Sequence, residues 1–242
     1  MNQQNGRKRR GPLARVLRAF GWLALVLIAI PLVLTPLYSF IDPVSVPMLE
    51  RYLTGRPVTR IWRPIDRLSD RLKAAVVMSE DGQFCRHWGV ELGALKEEAE
   101  NLLKGKNFRG ASTISMQVAR NLFLGTWQSG ARKLIEIPLA FYVDLVLSKR
   151  RLMEIYLNIA EWGPNGEFGI EAGARSAFGV DADALSWERA ALLTMALPNP
   201  LQRKPARPTA HLRRVAAIIE ARARQYGPRA DCLSNSGRLR LE

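Results

Sequence analysis

The chain has 242 residues, 48% of them hydrophobic and 24% charged, so it has the length and the apolar content to bury a core, which excludes a disordered tail. Its 36 Lys and Arg against 22 Asp and Glu give a formal net charge of +14, which points to anionic partners: nucleic acid, membrane phospholipid or a phosphorylated substrate.

The N-terminus narrows that choice. Residues 7–18, RKRRGPLARVLR, carry six basic residues and no acid, and the run from Phe20 to Phe40 carries no charge at all. A helix rising about 1.5 Å per residue needs roughly 20 apolar residues to cross a hydrocarbon layer of about 30 Å. The pattern therefore predicts a basic tail over 1–19 and a transmembrane helix over 20–40. Pro36, Leu37, Tyr38 and Phe40 stand where a cleaved signal peptide would place small residues, which favours an uncleaved anchor. Pro31 and Pro36 are tolerated in such a helix where neighbours satisfy the carbonyls that they free. The excess of Lys and Arg holds the basic end in the cytoplasm and sends the rest of the chain across the membrane, in a bacterium across the inner membrane into the periplasm. Nucleic acid is scarce there and is set aside as a partner. Cys85 and Cys232 then meet an oxidising compartment in which they can pair, although their spacing does not decide it. The separated His87 and His211 complete no zinc-ligand pattern with them.

Residues 41–60 read as a connector: Pro43, Pro47, Gly55, Pro57 and, just beyond, Pro64 predict extended chain ahead of a domain over 61–242. Leu68, Leu72, Ala75 and Val76 recur at helical steps, which puts Glu80 near the C-terminal end of a helix, an unfavourable place for a carboxylate in the helix dipole. That hints at function, and a hydrogen-bonded structural glutamate is the plain alternative. The stretch from Gly110 through Ser112 and Thr113 opens a second amphipathic helix; its free N–H groups and hydroxyls suit an anion, or simply an ordinary cap. In ARKLIEIPLAF, Arg132 and Glu136 lie four apart and Lys133 and Glu136 three apart, so all three share a helix face. Ile135, Ile137, Leu139 and Phe141 leave little else polar nearby, which favours a cleft over a solvated salt-bridge face. Pro138 predicts a kink or a boundary. Gly163, Gly166 and Gly169 read as turns, and His87 beside Trp88 as a structural histidine with no visible partner. The arginines from Arg213 to Arg224 read as a solvated helix face or one that rests on anionic lipid.

In order, EDGQFCRHWGVE, RGASTISMQVARNLFL, RKLIE, LMEIYLNIAEWGPNGEFGIEAGARSAFG and AALLTMALPNPLQRKP resemble the five motifs of the peptidoglycan glycosyltransferases, the family that polymerises lipid II. The resemblance runs from about Ile61 to about Pro208. With roughly thirty residues beyond it, the chain is expected to lack a transpeptidase module and to be of the monofunctional kind. The fold that this implies is mostly α-helical and lysozyme-like, with two lobes around a cleft.

The resemblance also implies roles. Glu80 matches the glutamate that deprotonates the acceptor hydroxyl, and Glu136 the second essential glutamate, acting at the diphosphate or through a metal. Arg132 and Lys133 match donor diphosphate contacts, and Ser112, Thr113, Gln117 and Arg120 line the cleft. No cofactor is implied with certainty, and a divalent cation such as Mg2+ is left open. The implied partners are lipid II, the lipid-linked growing glycan, the membrane and other cell-wall synthesis proteins. Two positions depart from the family: Met116 stands where Gln is common, and Arg120 where Lys is common. Arg keeps the charge with a different geometry, and Met116 is expected to be peripheral. Two rival functions fit the same acids: a lytic enzyme that cleaves glycan, which has no need of Arg132 and Lys133 for a diphosphate, and a catalytically silent scaffold. Because a lipid-linked substrate stays in the bilayer, the anchor is expected to act as a tether, so that a domain freed of residues 1–38 still folds.

Overall fold

The computed structural model describes residues 12–104, 112–125 and 130–241. Part of the basic tail and the Gly110 helix start lie outside the described residues.

Helix α1 (Pro12–Leu37) contains an apolar stretch, Arg15–Leu37, whose 23 residues reach about 35 Å. Its side chains are mostly exposed, as expected of a helix whose solvent is lipid. The helix begins earlier and ends three residues sooner than the predicted 20–40. Its base is built into the domain. Tyr38 is buried in the main core and stacks on Phe123, with ring centroids 6.2 Å apart. Arg151 donates to the carbonyls of Tyr38 and Ile41, at 2.7 and 2.6 Å. The Tyr142 hydroxyl donates to the Leu32 carbonyl at 2.8 Å.

The connector is not simply extended. Residues Val46–Leu53 form α2, capped by the Ser45 hydroxyl, which accepts from the Met48 amide. Pro47 sits in the first turn, where a missing N–H costs nothing, so a residue that reads as a breaker is here a helix start. Arg51 then staples α2 to the loop after α7, bonding Glu161 at 2.6 Å and the Pro57 carbonyl at 3.2 Å. Strand β1 (Thr59–Arg60) pairs in parallel with β2 (Glu167–Phe168). At Gly166 (φ +83°) a Cβ would lie 2.1 Å from the Pro57 carbonyl oxygen, so only glycine allows the two chains to meet.

Helix α3 (Asp70–Glu80) runs through the middle of the core. Ser69 caps it, and the small and branched residues Ala74, Ala75, Val76 and Val77 are fully buried. It packs on α9 (Trp187–Thr194), α10 (Ala210–Tyr226) and the 3-10 turn Gly227–Leu233. Around it stand α4 (Leu92–Leu103), α5 (Ile114–Ala119) running into a π-helical turn Arg120–Leu124, α6 (Gly130–Val146), α7 (Lys149–Ile159) and α8 (Ile170–Phe178). Pro138 lies inside α6 and does not end it. A smaller apolar cluster of Val90, Met116 and Ala140, with Leu95 and Ile137 against it, accompanies the main core. The domain is mostly helical, as expected of a lysozyme-like fold. Met116 is fully buried in the smaller cluster, where a thioether belongs and a polar amide would not.

Cys85 and Cys232 form a disulfide with Cα atoms 5.8 Å apart, joining the turn after α3 to the segment after α10. It closes a loop across 147 positions, and losing such a link typically costs about 2–5 kcal/mol. Cys232→Ser should therefore lower the melting temperature, and a reductant should lower that of the native protein but not that of the variant. An unchanged melting temperature in both would show that the link carries no stability.

Candidate active site

Two hollows meet at Gln117. The larger, about 450 Å³, is lined among others by Pro47, Arg120, Asn121, Arg132, Tyr156 and Asn199. The smaller, about 140 Å³, is lined by Ser79, Glu80, Asp81, Glu91, Ser112 and Thr113. Gln117 lines the first and reaches into the second, donating from Nε2 to Glu80 Oε2 at 3.1 Å. Its Oε1 accepts from the Tyr156 hydroxyl at 3.2 Å. Tyr156 is fully enclosed, and burial holds its pKa well above the usual phenol value, so it remains a donor. This chain fixes the amide, and the amide fixes the carboxylate.

Glu80 is the last residue of α3. Burial is the largest influence on it and raises its pKa; bonds from Gln117 and Ser79 and the charge of Arg203 pull in the other direction, and Asp81 adds to the rise. Asp81 borders the smaller hollow, but its carboxylate is engaged in structural bonds. It meets His87 Nε2 at 2.9 Å and accepts the Ile114 amide at 2.9 Å, joining the end of α3 to the start of α5. His87 is thus structural as expected, but its partner is the aspartate six residues before it.

Glu136, 1% exposed, forms an ion pair with Arg132 Nε at 2.9 Å. Lys133 Nζ donates to Ser112 Oγ at 3.3 Å. Burial lowers the pKa values of Arg120 and Lys133; Glu136 raises both, and the cations lower one another. Geometrically, Arg132 pairs with Glu136, Arg120 and Arg132 line one hollow, and Lys133 reaches Ser112 on the other. Glu98 is a second acid acting on Lys133 and Glu80 a second acting on Arg120; the guanidinium and ammonium groups themselves supply donors that suit a bound anion. The π-helical turn presents Arg120 to the larger hollow.

The structure therefore brings together Glu80, Gln117, Arg120, Arg132, Lys133, Glu136 and Ser112. Thr113 is present but differently employed: its hydroxyl caps α5, accepting from Met116, and donates to the Gly89 carbonyl. Tyr156, Asn121 and Arg203 were missed as site residues. All three lie within motif stretches quoted above, Asn121 in RGASTISMQVARNLFL, Tyr156 in LMEIYLNIAEWGPNGEFGIEAGARSAFG and Arg203 in AALLTMALPNPLQRKP, so the signal was present and only packing shows which side chains turn inward. Gly89 (φ +76°) lies in the loop after α3, its amide donating to Asp144 Oδ2 at 2.7 Å. A Cβ there would lie 2.5 Å from the Ala140 carbonyl oxygen, so the loop after α3 touches α6 backbone to backbone.

Among the described residues no group of three or more His, Cys, Asp or Glu side chains is gathered to hold a metal. The neighbours of Glu136 are cations. These residues do not fit a protein-held cation, and no step is derived through one.

A carboxylate in a partly buried niche beside a cation-rich pocket, in a lysozyme-like helical domain, is the equipment of a glycosyl-transfer enzyme whose leaving group is anionic. A family model described as Transglycosylase matches residues 48–223, and the chain belongs to that family. A biosynthetic peptidoglycan transglycosylase of Mesorhizobium japonicum is 50% identical over 227 residues, covering 93% of this chain and 96% of the relative. Proteins of the same description from Nitrobacter winogradskyi and Agrobacterium fabrum are 46% and 48% identical, over 88% and 86% of this chain and 94% and 93% of their own. The chain is a glycosyltransferase.

Proposed function

We propose that the protein polymerises lipid II into linear glycan strands for the bacterial cell wall. The observation that carries this reading is that Arg120 and Arg132, the latter paired with the buried Glu136, line the hollow beside the Glu80 niche, while Lys133 reaches Ser112 at that niche. The Glu80 carboxylate takes the proton of the acceptor GlcNAc 4-hydroxyl as that oxygen attacks the anomeric carbon of the donor MurNAc. The bond to the diphosphate breaks on the opposite face, the linkage inverts from α to β, and undecaprenyl diphosphate departs. Negative charge grows on the leaving oxygen, and the preset cations meet it without reorganising. Glu136 holds those cations in register, Ser112 steadies the Lys133 ammonium, and Gln117 aims Glu80.

The same reading places α1 across the inner membrane with the basic end in the cytoplasm and the domain in the periplasm. The charge asymmetry and a disulfide within the domain support it. A lytic enzyme has no use for the cation cluster. Incubation of the purified protein with lipid II, and separately with finished glycan, tests the choice: growth of polymer is expected from the first and no fragments from the second. Fragmentation without growth would overturn the proposal.

A further inference from the structure

Proline has no N–H to donate, so Pro36 leaves the carbonyl four residues earlier, that of Leu32, without its helical donor. In a helix surrounded by hydrocarbon, water cannot make good that loss. The Tyr142 hydroxyl, on α6, donates to that carbonyl at 2.8 Å. Pro31 frees the Leu27 carbonyl in the same way, but Tyr142 answers only the first.

We infer that the last turns of α1 are a docked part of the catalytic domain, and that Tyr142 is a positioning residue that locks the anchor to α6 through the carbonyl that Pro36 frees. Two further contacts and one placement agree. Tyr38 stacks on Phe123, in the π-helical turn that carries Arg120. Arg151 of α7 grips the carbonyls of Tyr38 and Ile41. Tyr142 itself lies six residues beyond Glu136 on one helix. The base of the anchor thus touches the helices that carry Arg120 and Glu136, and fixes their placement. A tether would need none of this, and a cut after Tyr38 would remove a residue of the main core.

The test is a cycle of substitutions in the full chain, in detergent. Tyr142→Phe keeps the ring and leaves a carbonyl unsatisfied, which should weaken docking roughly 5- to 30-fold. The melting temperature should fall, and turnover at saturating lipid II should fall by up to the same factor. Pro36→Ala restores an intrahelical donor to Leu32, so adding it to Tyr142→Phe should return both readings toward those of Pro36→Ala alone. Pro31→Ala, which restores a different carbonyl, should not. A Tyr142→Phe variant identical to the native protein, a loss that Pro36→Ala does not rescue, or a rescue given equally by Pro31→Ala would each overturn the inference. The docking does not rest on the proposed reaction, though its effect on turnover does. If the native protein fails to polymerise lipid II, the functional reading falls while the melting cycle still decides the docking.

Discussion

Glu80→Gln should lower turnover about 10²- to 10⁴-fold, the usual worth of a positioned base, while the donor binds as before. The amide keeps the shape and the contact with Gln117 but cannot accept a proton. The same substitution should leave the protein as stable at neutral pH, or more so. Burial holds the Glu80 pKa above the ordinary carboxylate value. Between the unfolded and the raised folded pKa the native state binds more protons than the unfolded one, so the stability contributed by this group is present at low pH and lost as pH rises through the folded pKa. At neutral pH the ionised carboxylate is therefore a cost that glutamine removes. For the native enzyme the rate should fall on acidification with a midpoint above the ordinary carboxylate range. A variant that melts lower and loses donor affinity would make Glu80 a structural residue, and the base would have to be sought elsewhere.

Glu136→Gln should behave in the opposite manner. Glu136 is sealed in the protein and paired with Arg132. Removing one partner of a buried pair leaves a charge uncompensated, at about 3–5 kcal/mol, so the melting temperature should drop along with activity. Lys133→Ala removes a cation and not its counter-charge. It should weaken binding of a diphosphate-bearing donor about 10- to 100-fold, as expected for hydrogen bonds to charged groups, with a smaller effect on melting. Measuring donor affinity and melting on the three variants separates the roles: Glu80→Gln loses rate alone, Lys133→Ala chiefly affinity, and Glu136→Gln rate, placement and stability. Equal donor affinity in Lys133→Ala and the native protein would remove Lys133 from the diphosphate site.

Much of this was legible because it is local. The apolar spacing from Leu72 to Val76 sets the phase of α3 and so the position of Glu80 at its end, while Leu68 stands before the Ser69 cap. The spacing of Arg132, Lys133 and Glu136 puts them on one face of α6, and the ion pair follows. The site assignments themselves came from motif order rather than from periodicity. What was illegible depends on chain segments far apart. Helix α2 hides behind its prolines, because Pro47 in a first turn and Pro47 in a loop look alike until Ser45 is seen to cap and Arg51 to staple. The partner of His87 was near in sequence, yet the turn after α3 that brings Asp81 to it has no periodic signal. Tyr156 reaches Gln117 across 39 positions, and the cysteines meet across 147. No local pattern encodes such distances.

The contact at Gly89 bears on how far this enzyme can be re-engineered. Glu80 stands at the end of the helix before that loop and Glu136 on the helix that the loop touches, and the gauge between the two is main chain against main chain. Substitutions among the lining side chains can retune affinity, polarity or the pitch of a bound sugar, yet they leave the gauge as it is. A methyl group at position 89 would press on the main chain of Ala140 and Phe141 from a backbone conformation that only glycine adopts freely. With φ at +76° and three main-chain atoms within 2.8 Å of any added Cβ, position 89 is closed to other residues, so a library aimed at bulkier donors must work through the lining side chains and leave this glycine alone.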